Sequence, residues 1–241
     1  MGMMKDRAGP HRRICPLIFM LDTSGSMNGQ PIGAVNSAME NILPELVSMN
    51  SDNADVEIQI AVLTFNSDVC WETGDQLVDP ESFKRFDLRA DGTTEMGKAF
   101  LELKSKLSLS KGFMNRASGS VAPVLFLLSD GEPTDDYKDG LVKLQENAWY
   151  NVAHRVAIGY GDANETILAK FTKFSETVLF TNDPMELKEM IKFVTITTTQ
   201  VASNGSKRTT TDTDDNTVAL AEELKDYKIP ESTGVDEIWD D

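Results

Sequence analysis

Residues 16–27 read PLIFMLDTSGSM, an apolar run that ends at Asp22 and breaks into a Ser/Gly turn. A strand buried on both faces has this pattern, because neither face turns polar side chains toward water. The turn sets Asp22, Ser24 and Ser26 at alternating positions on one side of the chain, and Gly25 allows the backbone to bend tightly. A core strand that delivers hydroxyls and a carboxylate into a turn is the element from which the rest can be read.

Outward from that strand, helical and strand-like stretches alternate. Residues 31–48 carry Ile32, Val35, Ala38, Met39, Ile42, Leu43, Leu46 and Val47 at helical spacing. Pro31 suits the first turn of that helix, and Pro44 should kink or end it. Residues 56–66, VEIQIAVLTFN, read as a second strand and residues 68–72 as a short edge strand. An amphipathic helix is expected over 94–107, a polar loop over 111–120 and the most hydrophobic strand over 121–129. A helix over 135–149, a strand over 152–159, a helix over 164–174 capped by Asn164, a strand over 177–181 and a helix over 183–194 follow. Such alternation predicts right-handed crossovers and a mainly parallel sheet with helices on both faces. Ligands in such folds bind beyond the carboxyl ends of the strands.

Three loops at those ends carry the chemistry. They hold Asp22-Thr23-Ser24-Gly25-Ser26, Gly92-Thr93-Thr94-Glu95-Met96-Gly97 and Ser129-Asp130-Gly131-Glu132-Pro133. Hydroxyl and carboxylate oxygens are hard ligands, suited to Mg²⁺, Mn²⁺ or Ca²⁺ rather than to zinc or copper. Any one of these motifs alone would be ordinary turn and cap chemistry. DxSxS, a Gly-Thr-Thr helix opening and Asp-Gly after an apolar strand, in that order, together resemble the metal-ion-dependent adhesion site of von Willebrand factor A (VWA) domains.

That resemblance covers about residues 16–200. It implies a three-layer, Rossmann-like α/β fold with one antiparallel edge strand. It assigns the metal site to Asp22, Ser24, Ser26, Thr94 and Asp130, with Thr93 as the alternative one residue earlier. In the family the serines, and usually the threonine, reach the ion directly. The aspartates act mostly through water, and one coordination position stays open for a partner's Asp or Glu. Within the superfamily, LIFMLDTSGSM, GTTEMGKAF, LFLLSDGEPTDD and FVTITTTQ are similar to bacterial tellurium-resistance-type (TerY-like) proteins. Those often occur beside protein kinases and PP2C-type phosphatases, which become candidate partners. Some carry a C-terminal zinc ribbon, which is not expected here because no cysteine follows Cys70 in this sequence.

Composition narrows the function. The chain has 241 residues, 40% of them hydrophobic, which suits one α/β domain with a sizeable core. The divisions expected are a disordered leader over 1–14, the VWA domain over 15–202 and an acidic, disordered tail over 203–241. A net charge of −16 opposes nucleic-acid or anionic-membrane partners. Of this, −9 falls between Asp212 and Asp241, where eleven acids face two bases. Within the tail, Val218, Ala221, Leu224, Tyr227 and Ile229 lie near helical spacing, so the tail could dock on a partner or offer a carboxylate to its own metal site. Cys15 and Cys70 read as reduced, buried thiols of a cytoplasmic protein. The apolar run before Asp22 is too short for a signal peptide's core and has no small-residue cleavage site.

A non-enzymatic, metal-dependent protein-binding module is the function expected. A haloacid-dehalogenase-type phosphohydrolase is the alternative, since it too uses Mg²⁺ and an Asp after the first strand. That chemistry needs a second acid at the position held by Ser24 to protonate the leaving group. His11 and His154 belong to no Ser-His-Asp arrangement.

Overall fold

The computed structural model describes residues 12–115, 119–205 and 220–224. Six strands form one sheet in the order β3-β2-β1-β4-β5-β6. They are β1 (Arg13–Asp22), β2 (Val56–Phe65), β3 (Val69–Trp71), β4 (Val124–Ser129), β5 (His154–Tyr160) and β6 (Val178–Thr181). All neighbours pair in parallel except β2 and β3, whose antiparallel pairing places β3 at one edge. The helices are α1 (Gln30–Asp52), α2 (Met96–Lys106), α3 (Tyr137–Gln145), α4 (Ala148–Val152), α5 (Glu165–Thr172) and α6 (Pro184–Gly205).

The alternation of side chains along β1 divides the interior into two cores. Cys15, Leu17, Phe19 and Leu21 face α1 and α6, whose Ile42, Leu46, Ile191 and Val194 complete that layer. Ile14, Ile18 and Met20 face the opposite layer with Phe100 and Leu103 of α2, Leu144 of α3 and Phe171 of α5. Every residue of β1 after Arg13 is buried, as a continuous apolar run requires in a central parallel strand. The chain leaves β1 toward β2 on one side and later takes β4 on the other. The crevice between the carboxyl ends of β1 and β4 is therefore where the strand order reverses.

Several expectations need correction. Ordered structure begins before residue 15: β1 starts at Arg13, and the Arg12 guanidinium reaches Glu57 and the carbonyl of Asn50. Helix α1 continues through Pro44 to Asp52. Pro44 is exposed, so the carbonyl it leaves unpaired faces water, while Ile42 and Leu46 stay locked in the core. The helix expected over 135–149 is two helices, because the Asn147 side chain accepts from the backbone N–H of Trp149 and Tyr150 and starts α4 anew. Cys70 is exposed on edge strand β3, whereas Cys15 is fully buried and its thiol is pushed up to about 12 by desolvation. His154 is packed in the core, with burial and the neighbouring Arg155 pushing it down to about 4. Arg155 donates to the carbonyls of Thr172, Tyr150 and Asn151, so a buried cation ties α4 and α5 to β5. No helix among the described residues is long and apolar enough to cross a membrane.

Two findings fall where an acidic tail was expected. Helix α6 runs to Gly205, and residues 220–224 are helical, with Leu220 and Leu224 inside the core beside α1 and α6. Apolar burial overrides the acidity of the surrounding sequence there, since Leu220 keeps no exposure and Leu224 3%. The leader over 1–11 and the rest of the tail, including Val218, Tyr227 and Ile229, lie outside the described residues.

Truncation after Gly205 removes two buried leucines and should lower unfolding stability by about 3 kcal/mol, read as a lower urea midpoint; an unchanged midpoint would show that residues 220–224 do not belong to the core. On α6, the Thr198 hydroxyl is fully buried with no hydrogen-bond partner among the described residues. Thr198→Val keeps the shape and removes that orphan group, and should stabilise the domain by about 1 kcal/mol, visible as a higher Tm.

Candidate metal centre

Parallel strands β1 and β4 end side by side, and Asp22 and Asp130 meet there because each follows an apolar strand by register, Leu21 pairing with Leu128. Asp22 has no solvent exposure. Its two carboxylate oxygens accept from the Ser24 backbone N–H at 2.9 Å and the Ser129 hydroxyl at 2.6 Å. Ser24 and Ser26 hydroxyls lie 3.1 Å apart, and Ser26 donates to Asp130 Oδ1 at 2.9 Å. One hydrogen-bonded chain thus links Ser129, Asp22, Ser24, Ser26 and Asp130. Its floor is buried at Asp22 and Ser24, and its lip is exposed at Ser26.

The third loop is stitched to the first by backbone bonds. Gly25 N–H donates to the Gly92 carbonyl at 3.0 Å and Asp91 N–H to the Thr23 carbonyl at 2.9 Å. Gly25 does not adopt a left-handed conformation; the loop bends through a 3-10 turn at Gly25–Met27. Its lack of a side chain instead permits the approach to Gly92, whose carbonyl would lie 3.3 Å from an added Cβ. Gly92 has φ +78, and a Cβ there would stand 2.4 Å from the Ser67 hydroxyl, so only glycine fits.

Thr94 is buried, with its N–H on the Thr134 hydroxyl at 3.1 Å and its carbonyl taking the Thr134 N–H at 2.9 Å. Thr93 points elsewhere: it is exposed, and its hydroxyl bonds Ser67 at 3.0 Å. Of the two adjacent threonines, Thr94 is the one enclosed between the loops of the site. All five residues singled out in the sequence, Asp22, Ser24, Ser26, Thr94 and Asp130, therefore belong to loops joined at one end of the sheet.

Supporting residues were not legible in advance. Ser129 and Thr134 had no pattern to mark them. Asp135 reads locally as the acidic start of its own helix. Its carboxylate instead caps α2 from across the site, accepting from the N–H of Gly97 at 2.9 Å and of Lys98 at 2.9 Å. The helices can approach this closely because Gly97 and Gly140 face one another, and a Cβ on Gly140 would meet the Gly97 carbonyl at 2.5 Å. Asp136 caps α3, and Glu132 accepts from Asn164, the cap of α5.

Electrostatically the centre lacks positive charge. Burial is the main cause that pushes Asp22 up to about 6, and Asp130 adds repulsion. Asp130 is raised as well, again chiefly by burial. Neither carboxylate has an ion-pair partner among the described residues. Lys98, the nearest base in the loop sequence, pairs with Glu95 and the Ser67 carbonyl. Nor do three or more His, Cys, Asp or Glu side chains among the described residues form a group that could hold a metal ion by themselves, so hydroxyls must supply part of any ligand set. Two desolvated carboxylates with converging hydroxyls, all hard oxygen donors, fit a divalent cation.

Comparison with known proteins identifies the fold. The family model for the von Willebrand factor type A domain matches residues 17–193. Among solved structures, a von Willebrand factor type A protein from Catenulispora acidiphila is 20% identical, with a TM-score of 0.56 over 77% of this chain and 42% of that one. The ArnB paralog VWA2 from Sulfolobus acidocaldarius is 24% identical, with a TM-score of 0.52 over 74% of this chain and 44% of that one. Proximal thread matrix protein 1 from the mussel byssus, solved with a zinc-occupied MIDAS motif, is 18% identical, with a TM-score of 0.56 over 75% of this chain and 47% of that one. The chain thus spans less than half the length of these proteins. No curated protein matches it.

Because Asp22 is raised from 3.8 to about 6, the metal-free fold binds that proton more tightly than the unfolded chain does. Metal-free stability is then full below about pH 4 and falls as pH rises through about 6. Asp22→Asn retains an acceptor for Ser24 and gains a donor toward Ser129. In EDTA at pH 7 it should stabilise the fold by about 2 kcal/mol and flatten the pH profile between 4 and 6. A variant less stable than the parent under those conditions would contradict the desolvated-carboxylate account.

Proposed function

We propose, for a chain that belongs to the von Willebrand factor type A domain family, that it is a protein-interaction module whose centre at Asp22, Ser24, Ser26, Thr94 and Asp130 holds Mg²⁺ and presents it to a carboxylate of a partner. The single observation that carries this reading is the pair of buried, unpaired carboxylates joined through serine hydroxyls to an exposed lip. Ser24, Ser26 and Thr94 would supply neutral oxygens directly. Asp22 and Asp130 would act from behind, orienting the serines and bound water. A neutral inner set leaves the ion electrophilic, and Mg²⁺ keeps waters that an incoming Asp or Glu can displace. The exposed position of Ser26 supports entry from solvent on that side.

The zinc-occupied MIDAS of the mussel protein supports a divalent ion here, although the all-oxygen donor set favours Mg²⁺, with Mn²⁺ or Ca²⁺ as substitutes. Ser24 stands where the phosphohydrolase chemistry needs a second acid, which supports binding without turnover. The TerY-like stretches LIFMLDTSGSM, GTTEMGKAF and LFLLSDGEPTDD support a place in a bacterial tellurium-resistance or stress-response system, with a protein kinase or PP2C-type phosphatase as partner. The free thiols of Cys15 and Cys70 support a cytoplasmic setting.

The test is calorimetric titration of the full chain with Mg²⁺, followed by affinity capture in Mg²⁺ and in EDTA. Mg²⁺ should bind the parent and at least tenfold more weakly to Thr94→Ala and Asp130→Ala, corresponding to a loss of about 1.4 kcal/mol or more. A partner held by the parent should be released by EDTA. Retention through EDTA and both substitutions would move the binding surface away from this centre.

A further inference from the structure

On the α1 side of the sheet, a cleft of about 180 Å³ opens between α1 and the segment that follows β3. Met39 and Leu43 of α1 form one wall, and Phe83 and Phe86 form the other. The two rings meet at 5.1 Å with an interplanar angle of 60°, and both are only partly buried. Side-chain contacts hold the walls in place. The Asn36 side chain donates to the Leu88 carbonyl at 3.0 Å and accepts the Leu88 N–H at 2.9 Å, and Glu40 pairs with Arg85. A cleft already held open costs a ligand little to order. Its size and aromatic lining suit one aromatic side chain.

The flank of this cleft is basic in an acidic chain. Residues 83–89, FKRFDLR, carry three bases against one acid, whereas the whole chain has a net charge of −16. Lys84 and Arg85 are exposed, and Lys84 and Arg89 have no ion-pair partner among the described residues. A complementary segment lies in the chain itself. Residues 236–241, DEIWDD, set Ile238 and Trp239 among four acids with no base. Other large apolar side chains outside the described residues carry the wrong charge beside them. Met1, Met3 and Met4 precede Lys5 and Arg7, and Lys225 and Lys228 flank Tyr227.

We propose that residues 236–241 dock on this cleft, with Trp239 between the phenylalanines and α1 and the neighbouring carboxylates against Lys84 and Arg85. Apolar burial supplies the attraction, and charge-assisted hydrogen bonds select the segment. The tether fits. Leu224 packs in the core beside α1, the helix that forms one wall of the cleft. Trp239 follows it by fifteen residues, a reach of up to about 50 Å. Such a tether gives the segment an effective concentration of roughly millimolar, so a modest contact keeps the cleft covered. Another protein reaches this face of α1 only by displacing the segment. The inference is independent of the metal-bridged reading.

The test is ¹⁹F NMR of the full chain labelled with fluorotryptophan, at low salt and in EDTA so that the metal centre plays no part. Trp239→Phe assigns the Trp239 resonance. That resonance should lie away from its position in an end-blocked, labelled peptide of residues 230–241 and shift less between H₂O and D₂O, at every protein concentration. Lys84→Glu with Arg85→Glu, two exposed positions, should move it to the peptide's position. Asp240→Lys with Asp241→Lys should do the same while leaving the cleft untouched, and combining both pairs should bring back the docked position. The inference fails if Trp239 of the parent already matches the peptide, if its resonance ignores either charge pair, or if the combined variant stays at the peptide's position. A resonance that depends on protein concentration would also overturn it, by making a second copy the occupant.

Discussion

The structure turns on one unfavourable placement, a carboxylate with no solvent exposure at the end of the central strand. Asp22 is there because β1 is paired on both sides and covered on both faces, so whatever follows Leu21 begins inside the protein. A buried carboxylate must be satisfied or neutralised. Ser24 and Ser129 satisfy its oxygens, but no cation among the described residues neutralises it, and Asp130 repels it. The chain therefore carries an electrostatic deficit that a divalent ion would relieve.

The loops around that carboxylate are held by contacts that need no metal. Backbone bonds from Gly25 to Gly92 and from Asp91 to Thr23 fasten the first loop to the second. Paired bonds between Thr94 and Thr134 fasten the second to the third. Asp135 then caps α2 from the far side, so the start of that helix and the loop after β4 hold together. Ligand groups fixed by their neighbours lose less freedom when they bind, which favours affinity at a small site. Ser26 is left exposed to solvent at the edge of these joined loops.

Stability is distributed differently. The two core layers share β1 but use separate helices, and residues 220–224 complete only the layer beside α1 and α6. On α6, Thr195 and Thr198 bury hydroxyls without partners among the described residues. That helix is held mainly by apolar contacts and weakened by these buried hydroxyls. At the metal centre the balance is reversed: the carboxylates and serine hydroxyls are hydrogen-bonded, and the weakness is charge.

The alternation of apolar strands and amphipathic helices, and with it the parallel sheet, is legible in the residues themselves, because burial imposes periods of 2 and 3.6 on those that face a core. So are the hydroxyls and carboxylates that follow the strand ends, and the von Willebrand factor A pattern in Asp22, Ser24, Ser26, Thr94 and Asp130. Local chemistry marked the cap at Asn164 but not the break at Asn147, where the helical apolar pattern continued across the boundary. Distant contacts, by contrast, make Asp135 cap a helix other than its own, leave Cys70 exposed and bury Leu220 and Leu224. Each of these depends on which distant segments the crossovers bring together, and a side chain's local period carries no record of the neighbour it will meet.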